Sequence, residues 1–325
     1  MDVLPVDVLH VDVLPVDPPQ KICVIIASHI SLKERIPHLM TCLHSLFGQT
    51  IPVTVYLSIS FKTDELKADV LHQLAEFGGN KHMILKPRDA KTSQMKHISM
   101  ALADVKSTHD WIMFCDDDDT YELNRVEMFM PLLKKGTAGV FESWVGLSQQ
   151  QYRYEFWTYC IRPYVLVPFF EFLDDQPDIL GQSCCDIMLV EYLRRLNTLT
   201  YIFERLDIPE SSPLYHYRKV DNEHSVTEHI IKAQGGIRVG NPPEITDVRF
   251  SDYIVEWNDY LYQNLHIYMH DVYLRTVVGC DFDYILQKEF HVDYKYLEFV
   301  DPIHVETLRR YHDRVRGLCE RLYQA

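Results

Sequence analysis

The run Trp111-Ile112-Met113-Phe114-Cys115 passes without a break into Asp116-Asp117-Asp118-Asp119. Apolar residues of this kind belong in a core, and adjacent carboxylates require water or a cation. A buried strand whose carboxyl end opens into a crevice satisfies both demands. Neighbouring like charges raise one another's pKa, and a divalent cation relieves that cost. Oxygen-only ligands suit Mg²⁺ or Mn²⁺. Side chains alternate along an extended chain, so Asp116 and Asp118 face one way and can share an ion. The competing reading of any such run is an acidic turn in water.

The sequence before this point alternates between two periods. Residues 22–27 form a short apolar run suited to a buried parallel strand, ended by Ser28-His29. Residues 34–47 carry Ile36, Leu39, Met40, Leu43, Leu46 and Phe47 at helical spacing, with Gly48 as the stop. Strands are then expected at 53–59, 83–85 and 111–115, with helices at 64–77 and 92–105. This alternation predicts an α/β domain with a mostly parallel central sheet flanked by helices. Ligands of such sheets bind beyond the carboxyl ends of the strands, where the aspartates fall. Further on, a strand is expected at 139–145 and helices at 163–174 and 184–196. Beyond about residue 250, Tyr, His and Leu recur at helical spacing and end in a helix over 305–323.

Composition limits the function classes. The chain has 325 residues, 47% of them hydrophobic, which supports a sizeable core. Its formal net charge of -15 argues against nucleic acid as a partner. Eight cysteines, none in a CxxC pair, read as reduced thiols in a cytoplasmic protein rather than as a zinc site. No apolar run reaches the ~18 residues of a membrane span. No signal peptide is expected from the opening residues. Residues 2–17 repeat a five-residue unit with prolines at Pro5 and Pro15, followed by Pro18 and Pro19, and read as an extended tail. The expected division is a tail over 1–20, a catalytic domain over 21–230 and a C-terminal helical extension over 231–325.

Several segments in order resemble glycosyltransferases of family two, which have the GT-A fold. They are the strand near Lys21 to Ser28, the helix ending in Ser45-Leu46-Phe47-Gly48-Gln49-Thr50, and the strand end at Asp116-Asp117-Asp118-Asp119. Tyr215-His216-Tyr217-Arg218 followed by Ser225-Val226-Thr227 is similar to the family's closing motif. The resemblance spans roughly residues 21–230. It implies transfer of a sugar from a nucleotide-diphosphate donor, most commonly a UDP-sugar, to a hydroxyl of a glycan or glycoconjugate, with Mn²⁺ or Mg²⁺. The tail also resembles proteins of large algal DNA viruses, for which the location would be the host cytoplasm.

By this resemblance Asp118 is the direct metal ligand. Asp116 meets the metal or the nucleotide, and Asp117 is counted with it as donor-binding. His216 is a further candidate metal ligand, because imidazole suits Mn²⁺. An inverting transfer needs a base, and Asp186 occupies the family's place for it, although Cys185 stands where a first acid is usual. A helix-capping role fits Asp186 as well. Ala27, Ser28 and His29 are placed to meet the base or ribose. Ser58 falls where the family carries an acid after its second strand. Arg88, Lys91 and Lys96, with Lys86, are candidates to attract the diphosphate. Trp144, Tyr152, Tyr154 and Trp157 form a candidate sugar-stacking wall. The C-terminal helices are candidates for homo-oligomer contacts.

Two other functions fit parts of the pattern. Asp116-Asp117-Asp118-Asp119-Thr120 matches the nucleophile motif of haloacid dehalogenase-like phosphatases, in which Asp116 is phosphorylated. That motif belongs on a first strand, and here three expected strands precede it. A non-catalytic carbohydrate-binding protein on a transferase fold would be expected to lose the metal-binding acids, which this chain keeps.

Overall fold

The structure is a computed structural model. It is described for residues 20–77, 81–145, 155–209, 211–218, 243–289 and 298–324. The first half is a run of crossover units. Strand β1 (Ile22–Ile30) leads through helix α1 (Ile36–Phe47) to β2 (Thr54–Phe61), then through α2 (Asp64–Leu74) to β3 (Met83–Arg88), and through α3 (Gln94–Val105) to β4 (Trp111–Asp116). The helices start where the sequence offers caps. Thr63 Oγ1 accepts from the Leu66 N–H at 3.3 Å, and Ser93 Oγ from the Lys96 N–H at 3.4 Å. Helix α1 buries Ile36, Leu39, Met40, Leu43 and Leu46, the stripe expected from its spacing.

After β4 come β5 (Thr120–Tyr121), α4 (Arg125–Phe129), β6 (Gly139–Val145) and β7 (Tyr159–Ile161). Helices α5 (Pro163–Asp174), α6 (Pro177–Leu180) and α7 (Cys185–Thr200) follow, then β8 (Phe203–Pro209) and β9 (Tyr215–His216). The seven-stranded sheet has the order β3-β2-β1-β4-β7-β6-β8, and β5 pairs with β9 beside it. Within the large sheet β7 alone runs against the rest.

The chain winds outward from β1 to β2 and β3, then returns to place β4 on the other side of β1. A crevice opens where the winding reverses, between the carboxyl ends of β1 and β4. Ala27 lies in register with Asp116 across that point.

Two strand ends and one whole strand depart from the sequence expectation. Strand β1 continues to Ile30 because its ladder with β2 continues, pairing His29 with Ser60 and Ile30 with Phe61. Strand β3 runs through Pro87 to Arg88; on an edge strand the missing proline N–H costs no ladder bond. Strand β8 had no clear alternation, and its half-exposed pattern is set by pairing with β6.

The C-terminal region is helical, as expected: α8 (Phe250–Val277), α9 (Phe282–Glu289) and α10 (Pro302–Gln324). Helix α8 kinks at Asn264, whose side-chain N–H bonds to the Tyr260 carbonyl at 2.9 Å. The buried faces of α8 and α10, among them Tyr273, Val277, Val315 and Leu318, join the hydrophobic cluster that includes Cys185 and Met188 of α7. Among the described residues, no helix is long and apolar enough to cross a membrane. The repeated tail, Tyr152, Tyr154, the side chain of Trp144, His224 and Ser225-Val226-Thr227 lie outside the described residues.

Candidate active site

The four aspartates share a backbone turn but have different partners. Asp117 accepts from Ser28 Oγ at 2.5 Å and from Arg35 Nη2 at 2.6 Å, and it is buried. Asp119 accepts from the Tyr215 hydroxyl at 2.7 Å and from the Arg218 backbone N–H at 2.8 Å. Asp116 accepts from Gln94 Nε2 at 2.7 Å, at the first turn of α3. Asp118 stands 3.7 Å from the Arg35 guanidinium.

Burial pushes the Asp116 carboxyl well above the carboxylate range, and Asp119, Asp118, Asp117 and the more distant Asp186 add to the shift. Burial also raises Asp117, with Arg35 opposing. Asp119 is pushed up to about 7 by burial, against the pull of its Arg218 and Tyr215 bonds. Burial and mutual repulsion therefore disfavour ionising these carboxyls together, a cost that a bound cation would relieve.

An aromatic stack fixes this turn from below. The Tyr215 hydroxyl accepts from the Asp116 N–H at 3.1 Å while it donates to Asp119. Trp157 stacks on Tyr215 at 3.9 Å, nearly parallel. The Arg125 guanidinium lies over Tyr121 at 4.1 Å and over Tyr215 at 4.7 Å. Its Nη2 meets Glu142 Oε1 at 2.7 Å and the Trp157 carbonyl at 2.7 Å, with both charged side chains fully buried. Trp157 is thus a packing residue, not part of an open sugar-stacking wall. Gln49 joins the same scaffold: its amide donates to the Ser45 and Glu122 carbonyls and accepts from the Val126 N–H. The Ser-Leu-Phe-Gly-Gln-Thr segment thereby anchors the chain just past the aspartates.

On the donor side, Ala27, His29, Ser58 and Ser60 line one face of β1 and β2. His29 Nδ1 meets Ser60 Oγ at 2.9 Å. Burial lowers the His29 pKa, and the cations Lys91, Arg35 and Lys62 lower it further. Arg88 donates to Ser58 and to the Tyr56 hydroxyl on the same face.

Asp186 opens helix α7, whose cap position is Cys184, with no side-chain cap bond from that residue. Burial and the charge of Glu155 push its carboxyl up to about 7, and the backbone N–H groups of Ile187 and Asp186 itself restrain the shift. Its charge adds a minor part to the upward shift of Asp116. The backbone N–H bonds at the helix start are in keeping with the capping reading.

Two site assignments from the sequence are corrected. His216 does not join Asp116 and Asp118; alternation along β9 sends Tyr215 to Asp119 and leaves His216 3.0 Å from Glu122 at the surface. Lys96 faces Asp174 at 3.3 Å rather than the aspartates. Among the described residues no three His, Cys, Asp or Glu groups stand together as a ready metal cage. The donor set that remains, the oxygen ligands of Asp116 and Asp118, fits a Mg²⁺- or Mn²⁺-type ion that takes its other ligands from substrate phosphates and water. Sequence reasoning missed Arg35 and Gln94, which reach the aspartates from neighbouring helical segments. Their only signal was position, each at the start of a helix that follows a parallel strand.

This arrangement, a mostly parallel sheet with acids at the switch point and a carboxylate opening a helix opposite, defines the GT-A class of nucleotide-sugar glycosyltransferases. The chain belongs to glycosyl transferase family 2, whose model matches residues 23–196. This membership takes the place of the phosphatase reading, and Asp116 ends the fourth strand of the domain, not its first.

Among solved structures, S. aureus TarS 1-349 in complex with UDP-GlcNAc is similar at 12% identity, covering 94% of this chain and 92% of that one, with a TM-score of 0.47. The mannosyltransferase PcManGT from Pyrobaculum calidifontis, in complex with GDP-Man and Mn²⁺, shares 11% identity over 94% and 88%, with a TM-score of 0.43. Glucosyl-3-phosphoglycerate synthase from Mycobacterium tuberculosis, with Mn²⁺, UDP and phosphoglyceric acid, shares 12% over 69% and 80%, with a TM-score of 0.40. No curated protein matches the sequence.

Proposed function

We propose that this glycosyltransferase inverts the donor sugar, uses a divalent cation and takes a UDP-sugar, with a glycan or glycoconjugate hydroxyl as acceptor. The observation that carries this reading is the Asp186 carboxyl, raised to about 7 at a helix start and electrostatically linked to Asp116. A base near neutral pKa is matched to its task at physiological pH. Asp186 takes the acceptor hydroxyl proton as that oxygen bonds to the anomeric carbon from the face opposite the diphosphate. The anomeric carbon–phosphate oxygen bond breaks, and the nucleoside diphosphate leaves with the bonding pair.

Asp118, with Asp116, would hold Mn²⁺ or Mg²⁺; when bound, the ion neutralises charge developing on the diphosphate. Arg35 supports the same anion, since its Nε–H is buried and without a partner. Ala27 and Ser28 line the donor nucleotide, and Lys91 strengthens the cationic rim near His29. Eight free thiols support a reducing, cytoplasmic location.

The test is turnover of a UDP-sugar panel with Mn²⁺ and with EDTA, with the anomeric configuration of the product read by NMR. Asp118→Asn should cost about 100-fold in metal-dependent turnover. Equal rates with and without EDTA would remove the metal, and a product retaining the donor's configuration would remove the inverting mechanism.

A further inference from the structure

A one-way chain of hydrogen bonds crosses the face of β2. Arg88 Nε–H donates to Ser58 Oγ at 2.9 Å. Arginine is a donor in every charge state that proteins reach, so the direction at this end is fixed. Ser58 is fully buried, and among the described residues its single proton has one acceptor within reach, His97 Nδ1 at 2.8 Å. Had His97 carried its proton on Nδ1, the Ser58 O–H would be buried with no acceptor, at a cost of ~1–3 kcal/mol. His97 is therefore protonated on Nε2, which meets Ser60 Oγ at 3.3 Å.

Ser60 then has its own proton to place. His29 Nδ1 lies at 2.9 Å and the Ser28 carbonyl at 3.5 Å, so the imidazole nitrogen takes it. The relay leaves His29 with its proton on Nε2, a nitrogen with no protein acceptor among the described residues. Burial and surrounding cations disfavour the doubly protonated ring, in keeping with a neutral tautomer.

His29 stands two residues past Ala27, which is in register with Asp116 on the adjacent strand. Strand spacing and rise put its Cα ~8 Å from that of Asp116, and alternation along β1 turns its side chain to the same face as Ala27. We propose that the Arg88–Ser58–His97–Ser60 relay locks His29 as an Nε2–H donor, and that this donor selects a keto oxygen on the donor nucleotide's base. That oxygen is O4 of uracil or O6 of guanine, positions where cytosine and adenine carry an amino group. A site with a fixed donor rejects an amino group because two donors then face each other. The proposal rests on the nucleotide-sugar reading of the site and adds which base edge it reads and through which atom.

Two measurements on the full chain test it. Long-range ¹H–¹⁵N spectra of the imidazoles report the tautomer directly, and His29 should show the Nε2–H pattern, losing it in Ser60→Ala. Titration with UDP, GDP, CDP and ADP should show UDP binding about 5- to 10-fold more tightly than CDP, the worth of one hydrogen bond. His29→Leu should bring UDP and CDP to equal affinity, and His29→Gln, which keeps an N–H donor, should preserve most of the preference.

An Nδ1–H tautomer in the wild-type protein overturns the proposal. So does equal weakening of UDP and CDP by His29→Leu, which would mean that His29 meets phosphate or ribose instead. If the wild-type chain binds none of the four nucleotides, the nucleotide-sugar site falls as well. Binding without base preference removes this proposal alone.

Discussion

The aspartates that end β4 and the Asp186 carboxyl at the start of α7 are held in different ways. Around Asp116–Asp119 the restraint is polar and dense: Ser28, Arg35, Gln94, Tyr215 and the Arg218 N–H each engage a named carboxylate. Around Asp186 it is mostly packing, delivered from beyond the family-matched segment. Gln182 donates to the Tyr311 hydroxyl at 3.0 Å, and Arg314 clasps Asp178 at 2.6 and 2.8 Å. Cys184 lies 3.6 Å from His270 Nε2, and Tyr273 is buried near Cys185. The aspartate turn is thus held within the sheet domain, while the start of α7 is braced by helices about a hundred residues later. A family fold can keep the first arrangement and vary the acceptor side by changing the second.

The largest expected effect breaks the site on the α7 side. Asp186→Asn should lower kcat by about 1000-fold while nucleotide titration stays unchanged. In the wild type, kcat/KM should rise with pH through about 7 and level off above it, because the base must be ionised. The stability sign runs the other way. A carboxyl raised from 3.8 to about 7 contributes stability that is fully present below pH 3.8 and lost as pH climbs through 7. Asp186→Asn should therefore melt higher than wild type at pH 8, with the gain shrinking towards pH 4. A variant that loses nucleotide binding along with turnover would move Asp186 out of the base role.

On the β4 side the expected effects are on stability first. Arg125→Met leaves Glu142 buried without its cation and should cost about 3 kcal/mol in denaturant unfolding, with Glu142→Gln added to it recovering part. No change in the midpoint would mean that the buried pair is not formed. Tyr215→Phe keeps the ring stack and removes one hydroxyl shared between Asp119 and the Asp116 N–H. About 2 kcal/mol is expected, together with a further rise in the Asp119 pKa that carboxyl NMR titration can follow.

The smallest effect sharpens the contrast. Arg314 is half-exposed, so Arg314→Ala should cost at most ~1 kcal/mol of stability. It should nevertheless reduce kcat several-fold without altering nucleotide affinity, because it loosens the approach to α7. A matched fall in affinity would place the brace on the donor side instead.

Much of the donor half was readable in advance. The strand and helix periods located β1 to β4 and α1 to α3, and the apolar run before Asp116 put the acids at a sheet edge. Asp186 was expected from the family resemblance, and the structure places it in the first turn of α7. His216 and Lys96 misled because residue type says what a side chain is able to bind, not which way it faces. One step along β9 separates the tyrosine that holds Asp119 from the histidine that meets Glu122. Arg35, Gln94 and Arg125 were missed because a polar residue on a helix is exposed by default, and only tertiary packing shows otherwise.

The sequence alone determined the layered α/β core and the acidic strand end, since hydrophobic periodicity and charge crowding are local and survive without knowledge of neighbours. Tertiary structure decided which partner each carboxylate meets, how deeply each is buried, and which helices steady the start of α7. Those outcomes depend on distances between segments far apart in the chain, and electrostatics and hydrogen bonding act through distance.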